Sequence, residues 1–370
     1  MQRIKIRKKD LALILGKLKE TRRVIGPKVE NGTIVLTEIE FKDLPAGIAD
    51  LQAPGCFKLG KSRKEGLMFS FSHGPHSLKT FLNPATQELS RFRRSRRGIS
   101  VQSIPSEETP LAFVGVRACD LAALKLLDKV FLEGPVKDTG YSRRREDIFT
   151  VAVNCLYPGS NCFCDSMGTG PEAVSGFDLA MTEIGDYFLV ETGTVAGERI
   201  VKGIPGAEPS DHDLEEKAAL ILECRKEMGR SMDTSDLPGL LYRNAEHPRW
   251  AEIALKDLEC GNCTMVCPTC FCSSTYDYLP AGEISGSLKE WGGIRMRHWD
   301  SCFSRNFARV HGGNFRRSGK ARYRHWMTHK LGYWIDQFGS PGCVGCGRCI
   351  TWCPVGIDIT REIEEIRHVR

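Results

Sequence analysis

Residues 343–354 read Cys343-Val-Gly-Cys346-Gly-Arg-Cys349-Ile-Thr-Trp-Cys353-Pro354. This is the run Cys-x2-Cys-x2-Cys-x3-Cys-Pro without a mismatch, the spacing by which a short loop holds a cubane iron–sulfur cluster. Three closely spaced thiolates wrap one cubane. Gly345 and Gly347 allow the positive φ and the close backbone approach that so tight a loop needs. The fourth cysteine points away from the loop and, in two-cluster proteins, ligates the other cluster. Pro354 fits a helix start, where its missing N–H costs nothing.

A mate lies upstream, Cys260-Gly-Asn-Cys263-Thr-Met-Val-Cys267-Pro268. Counted back from its Cys-Pro pair, Cys263 is the third ligand and Cys260 the second. The first position, 257, holds Asp257. A carboxylate oxygen binds iron as a harder ligand and changes cluster potential and lability. The register therefore assigns Asp257, Cys260, Cys263 and Cys353 to one [4Fe–4S] cluster, and Cys343, Cys346, Cys349 and Cys267 to the other. A zinc site is the alternative for any single Cys-x2-Cys pair, but structural zinc uses four ligands in two pairs and does not ask for this interlocked order. For Asp257 alone the alternative is a helix-end surface residue, with Cys270, Cys272 or Cys302 as the fourth ligand.

The chain has 370 residues, room for two domains, with 41% hydrophobic and 26% charged residues, the composition of a soluble globular protein. Its apolar runs are too short for a membrane span, and the basic start from Arg3 to Lys9 leads into no signal-peptide pattern, so a cytoplasmic protein is expected. Sixteen cysteines in such a chain point to metal binding and away from a disulfide framework.

Upstream of the cysteine motifs, short strand-like runs (Thr33–Leu36, Leu67–Phe71) alternate with turns, and Arg91–Arg97 reads as a solvated loop or a partner-facing patch. Leu111–Val116 and Ile148–Val153 read as buried strands. Between them Asp120–Phe131 is helical, with Leu121, Leu124, Leu127 and Phe131 on one face. Two more strands are expected at Phe177–Thr182 and Tyr187–Glu191, and helices at Asp211–Met228 and Ala245–Leu258. The fold class expected is an α/β (α+β) N-terminal domain, residues 1–236, with a boundary near Thr234–Gly239. A mostly helical, bacterial-ferredoxin-like two-cluster domain with a long insertion then fills residues 237–370.

Cys119 follows the first buried strand, and Cys155, Cys162 and Cys164 follow the second. If those strands are parallel neighbours, both loops leave the same carboxyl edge, where α/β sheets place ligands. The four cysteines would then suffice for a third [4Fe–4S] cluster. Structural zinc and ordinary buried thiols are the alternatives. Cys224, on a helix, reads as core.

On these residues the chain resembles the iron–sulfur subunits of anaerobic sulfite reductases and the beta subunits of sulfhydrogenases. The likeness is carried by Cys260–Cys272 (CGNCTMVCPTCFC), Trp299-Asp300-Ser301-Cys302-Phe303 and Cys343–Asp358 (CVGCGRCITWCPVGID). Upstream it is carried by Val114–Leu121 (VGVRACDL), Asn154–Cys164 and Met167–Pro171. It covers most of residues 65–360. Position 257 departs from the pattern, since the family more often has cysteine there. The resemblance implies the same third cysteine set. The clusters are one-electron carriers that offer no substrate site in themselves, so a non-catalytic electron-transfer subunit is expected. The resemblance implies a flavoprotein of the NAD(P)H-using type and a catalytic redox subunit as its partners, on separate chains because no dinucleotide fingerprint is visible here.

Two other functions compete. Residues 301–335 hold eight Lys/Arg and no Asp or Glu, interleaved with Tyr323, Trp326, Tyr333 and Trp334, a composition compatible with nucleic-acid binding. In a cluster-binding region that stretch more readily supports anionic cubanes or docks an acidic subunit, and no nucleic acid is expected. A catalytic reductase of sulfur compounds, using a cluster opened at Asp257, is the other competitor.

Overall fold

The runs Leu111–Val116 and Phe149–Val153 are apolar at nearly every position, as strands buried on both faces must be. In the computed structural model they lie side by side as parallel neighbours, Ala112 opposite Phe149 and Val114 opposite Val151. The structure describes residues 2–62, 66–95, 97–104, 109–279 and 291–368. Along the chain the strands are β1 (Arg3–Arg7), β2 (Arg23–Glu30), β3 (Thr33–Glu38), β4 (Ile48–Ala53), β5 (Cys56–Lys61), β6 (Thr86–Ser95) and β7 (Gly98–Ser103). There follow β8 (Leu111–Val116), β9 (Phe149–Val153), β10 (Leu179–Ile184), β11 (Tyr187–Thr192), β12 (Ser273–Tyr278), β13 (Trp291–Trp299) and a short pair, β14 (Arg309–Val310) and β15 (Gly313–Asn314).

A seven-stranded sheet has the order β1-β11-β10-β9-β8-β2-β3, parallel from β10 to β2 and antiparallel at both edges. Alternate residues of β8 and β9 serve two cores. Val114 and Val151 pack with Leu11, Ile14, Leu15 and Leu18 of the helix Leu11–Lys19. Phe113 and Ala152 pack with Leu121, Leu124 and Leu127 of the helix Ala118–Phe131. That helix is covered on its far side too, where Cys119, Ala123 and Leu126 meet Trp334, Val344 and Cys346. One helix is thus shared between the sheet and the cysteine-rich region.

The two parts of the chain also share a sheet. β13, from the insertion between the cysteine motifs, pairs antiparallel with β6 from the N-terminal part, in the order β12-β13-β6-β7. Most of Arg91–Arg97, expected as a loop, is therefore strand, ending at Ser95; Arg96 lies outside the described residues. Leu67–Phe71 is not a strand. Its backbone turns inward to serve side chains, Met68 and Phe69 N–H donating to the Glu183 carboxylate while Phe69 and Phe71 carbonyls accept from Arg117. Pro354 opens no helix, because the chain turns through Gly356 (φ 65°) and the last helix begins at Ile359. Pro238, in the expected boundary, sits in the first turn of a helix, Leu237–Arg243, and the helix expected from Ala245 begins only at Arg249.

Candidate iron–sulfur centres

Both cysteine motifs fold alike. A left-handed glycine, Gly261 (φ 73°) or Gly347 (φ 74°), is followed by a one-turn helix, Asn262–Met265 or Arg348–Thr351. Gly345 and Gly347 are required for a further reason. A Cβ on Gly345 would stand 2.6 Å from the Phe163 carbonyl, and one on Gly347 2.3 Å from Asn161 O. The loop of the last motif thus lies backbone-to-backbone on the loop that carries Cys162 and Cys164, joined by Phe163 N–H to Gly345 O at 2.8 Å.

Asp257, Cys260, Cys263 and Cys353 line one cavity, walled by Phe303, Tyr323, Trp326 and Ile357. Asp257 ends the helix Arg249–Lys256, and its Oδ1 accepts from Glu259 N–H at 2.8 Å. Its Oδ2 is buried without a partner, as are Tyr323 Oη and Trp326 Nε1 in the same wall. Buried polar atoms are rarely left unpaired. One ligand-capable oxygen and two donors left unpaired on residues that line a cavity with three thiols fit an anionic, iron-bearing occupant. Burial, followed by the neighbouring Asp257, pushes the Cys263 thiol well up. Iron binding needs the thiolate and would displace that proton.

Cys267, Cys343, Cys346 and Cys349 gather as a second set, Cys267 and Cys346 buried and Cys343 and Cys349 half-buried, close enough to alter the ionisation of others. Here the surroundings are cationic. Lys330 Nζ lies 3.2 Å from Cys267 Sγ, and the Arg348 guanidinium, ion-paired to Asp120 at 2.9 Å, stands beside Cys346. Cys270, donating to Cys267, and Lys330 beside it draw the Cys267 thiol well below its ordinary pKa.

The parallel pairing of β8 and β9 brings Cys119 and the Asn154–Cys164 loop to one sheet edge. Cys162 and Cys164 are close to Cys155, while Cys119 stands near Cys164, with its Sγ 3.3 Å from His73 Nε2. Burial followed by the Arg348 charge lowers the His73 pKa to about 3, which keeps it neutral there. Arg117 is 2% exposed, donates to Phe69 O and Phe71 O and reaches Cys155; among the described residues no carboxylate pairs with it. A buried guanidinium needs an anion; burial raises the Cys155 thiol, and Cys155 would supply that anion only as a thiolate, the form that binds iron. Cys224, expected as plain core, is fully buried and faces this set, near Cys155, Cys162 and Cys164.

Among the described residues no three His, Cys, Asp or Glu side chains converge on a point that would hold a single metal ion. Ligands of a cubane each bind a different iron and stand farther apart than the thiolates around one zinc at about 2.3 Å.

The family model described as a 4Fe-4S dicluster domain matches residues 256–357. The sulfhydrogenase 2 subunit beta of Pyrococcus furiosus is 35% identical over 256 residues, 68% of this chain and 73% of that protein. The chain belongs to the sulfhydrogenase beta-subunit family. No solved structure matches it. It is thus an iron–sulfur protein with a 4Fe-4S dicluster domain, and the described residues form no helix long and apolar enough to cross a membrane. In this family member, sequence reading missed Lys79, Arg117 and Cys224 at the centres. Lys330 was visible only as one of eight cations in the basic stretch 301–335. Nothing in sequence spacing singles out which lysine turns inward.

Proposed function

We propose that the chain is an electron-relay subunit of a multi-subunit, cytoplasmic oxidoreductase. Residues 237–370 hold two cubanes, on Asp257, Cys260, Cys263 and Cys353 (cluster 1) and on Cys343, Cys346, Cys349 and Cys267 (cluster 2). Residues 1–236 hold a third, on Cys119, Cys155, Cys162 and Cys164 (cluster 3). When bound, such clusters carry single electrons.

The observation that carries this reading is the contact between cysteine loops. Cys162 Sγ lies 3.8 Å from Cys346 O, and Phe163 N–H bonds Gly345 O. Cys349 lines the cavity of the Asp257 set. The three ligand sets therefore follow one another from the sheet edge to the surface, where Cys260 is exposed beside Leu258. Phe163, Arg348 and Asp120 fix the sheet side to the dicluster side. Thr351 bonds Asn161 and Gln52 and closes that junction.

The relative's name marks it as one subunit of a sulfhydrogenase. By analogy the partners here are a flavin-bearing, NAD(P)H-type subunit and a catalytic reductase, hydrogenase or bifurcating module. Anaerobic co-purification from the native host tests the reading, with an associated flavoprotein as the expected result. Rapid sulfite or polysulfide reduction by the isolated chain would replace it with the catalytic alternative.

A further inference from the structure

Lys330 is 4% exposed, and among the described residues no carboxylate pairs with it. Its Nζ has three acceptors for three N–H bonds: Cys267 Sγ at 3.2 Å, Thr269 Oγ1 at 3.1 Å and Gly342 O at 3.3 Å. Thr269 Oγ1 itself stands 3.1 Å from Cys267 Sγ. The lysine is held there by a π-helical turn, His329–Tyr333, set between the helices Gly319–Thr328 and Trp334–Phe338. Such turns often mark functional sites, because they break regular packing to aim a side chain. Leu331 and Trp334 anchor the turn in the core on either side. A second buried ammonium, Lys79, is spent on Thr264 O and Met265 O at 3.3 and 3.1 Å.

Among the described residues no ammonium or guanidinium bonds a sulfur of the other cradle; its buried cation, Arg322, is paired with Glu259 and acts on the Asp257 carboxylate. Cys353 Sγ accepts from the Ile357 backbone N–H at 3.3 Å, and the unpartnered donors in that wall, Tyr323 and Trp326, are neutral. Its odd ligand position is the carboxylate of Asp257.

We infer that Lys330 is a positioning residue that holds the Cys267/Cys343/Cys346/Cys349 cluster at a higher reduction potential than its neighbour, making it the first of the pair to be reduced. This rests on the proposed ligand sets. Reduction would add one electron, and so one negative charge, to the cluster that these four residues would hold, the ligands keeping their oxidation state. A fixed ammonium at hydrogen-bond distance, with little water to screen it, favours the more negative form. No bond forms or breaks and no proton moves, since Lys330 enters the step already charged.

The test is a redox titration of the anaerobically purified full chain, poised with dithionite and mediators and followed by EPR, with iron and sulfide counted. The proteins compared are the wild type, Lys330→Met and Lys330→Arg. Lys330→Met is expected to keep its iron and move one dicluster signal to lower potential, leaving the other in place, while Lys330→Arg stays near the wild type. The moved signal should be the one that Cys346→Ser abolishes. Unchanged potentials in Lys330→Met, or a shift in the signal that survives Cys346→Ser, would overturn the inference. If Lys330→Met loses iron, Lys330→Gln, which keeps a neutral donor, is read by the same two criteria. A failed ligand reading shows differently: Cys267→Ser would keep both dicluster signals whatever Lys330 does.

Discussion

The two cradles of the dicluster region share a spacing and a backbone, a left-handed glycine feeding a one-turn helix, yet their walls have little in common. Around Cys267 the wall is charged: Lys330 at 3.2 Å, with the Arg348–Asp120 pair behind Cys346. Around Cys263 it is aromatic, with a carboxylate where a thiolate is usual and buried polar atoms left unpaired. The shared spacing places ligands. What separates the cradles comes from elsewhere in the chain, a lysine on a π-helical turn and an aspartate at a helix end. On the proposed ligand sets, the difference is that a motif's spacing would place the iron while distant elements would set how readily it is reduced.

The largest expected effect tests the crossing of ligands. Cys353→Ser should strip the Asp257-side cluster although residue 353 belongs to the other motif, removing about four irons and one EPR signal. Loss of the Cys343-side signal instead would mean that each motif binds its own cluster. Next comes the joint between sheet and dicluster. Asp120→Asn leaves Arg348, 1% exposed, buried without its counter-ion, an effect of about 3–5 kcal/mol in denaturant unfolding. The double change Asp120→Leu with Arg348→Met should recover most of it, and a double variant as unstable as the single would argue against a simple charge pair.

A smaller effect is expected at Gly345, where φ is 63° and the Phe163 carbonyl stands in the way of a side chain. Gly345→Ala should cost at least ~1–3 kcal/mol from the backbone alone, with the Cys162-side cluster lost before the Asp257-side one. Asp257→Cys sharpens the comparison further. It should leave the iron count unchanged and slow the loss of iron to a chelator from the Asp257-side cluster only. An identical spectrum and lability would remove Asp257 from the ligand set.

The smallest effect concerns pH. Burial, then the Arg316 charge, lowers the His325 pKa to about 4, and burial, then Lys330, lowers that of His329 to about 4. Both lie below the ordinary histidine value near 6.5. Between these values the unfolded chain binds more protons than the folded one, so stability rises with pH through the window and is lost as pH falls from about 6.5 toward 4. His325→Gln should flatten part of that slope in thermal melts, and a slope unchanged by the substitution would contradict the assignment.

Much of this is legible in the sequence because its signals are local. The strand Leu111–Val116 can be read to the residue, and the parallel pairing that brings Cys119 toward Cys164 follows from two apolar runs and the helix between them. Leu67–Phe71 misleads because its apolar pattern answers to Glu183 and Arg117, partners more than forty residues away. The β6–β13 pairing joins residues about two hundred positions apart, and no periodicity within either segment announces it. Cys224 is legible only as a buried helix position. Its closeness to Cys162 and Cys164 comes from the end of the helix Asp211–Lys226 packing on their loop, where Arg225 pairs with Asp165 at 2.6 Å.

The relay depends on a third centre at the sheet edge, and its most direct test is the iron and acid-labile sulfide content of the anaerobically purified chain. With four irons per cubane, about twelve irons per chain are expected, falling to about eight in Cys162→Ser with both dicluster EPR signals intact. About eight irons in the wild type, unchanged in that variant, would contradict the account.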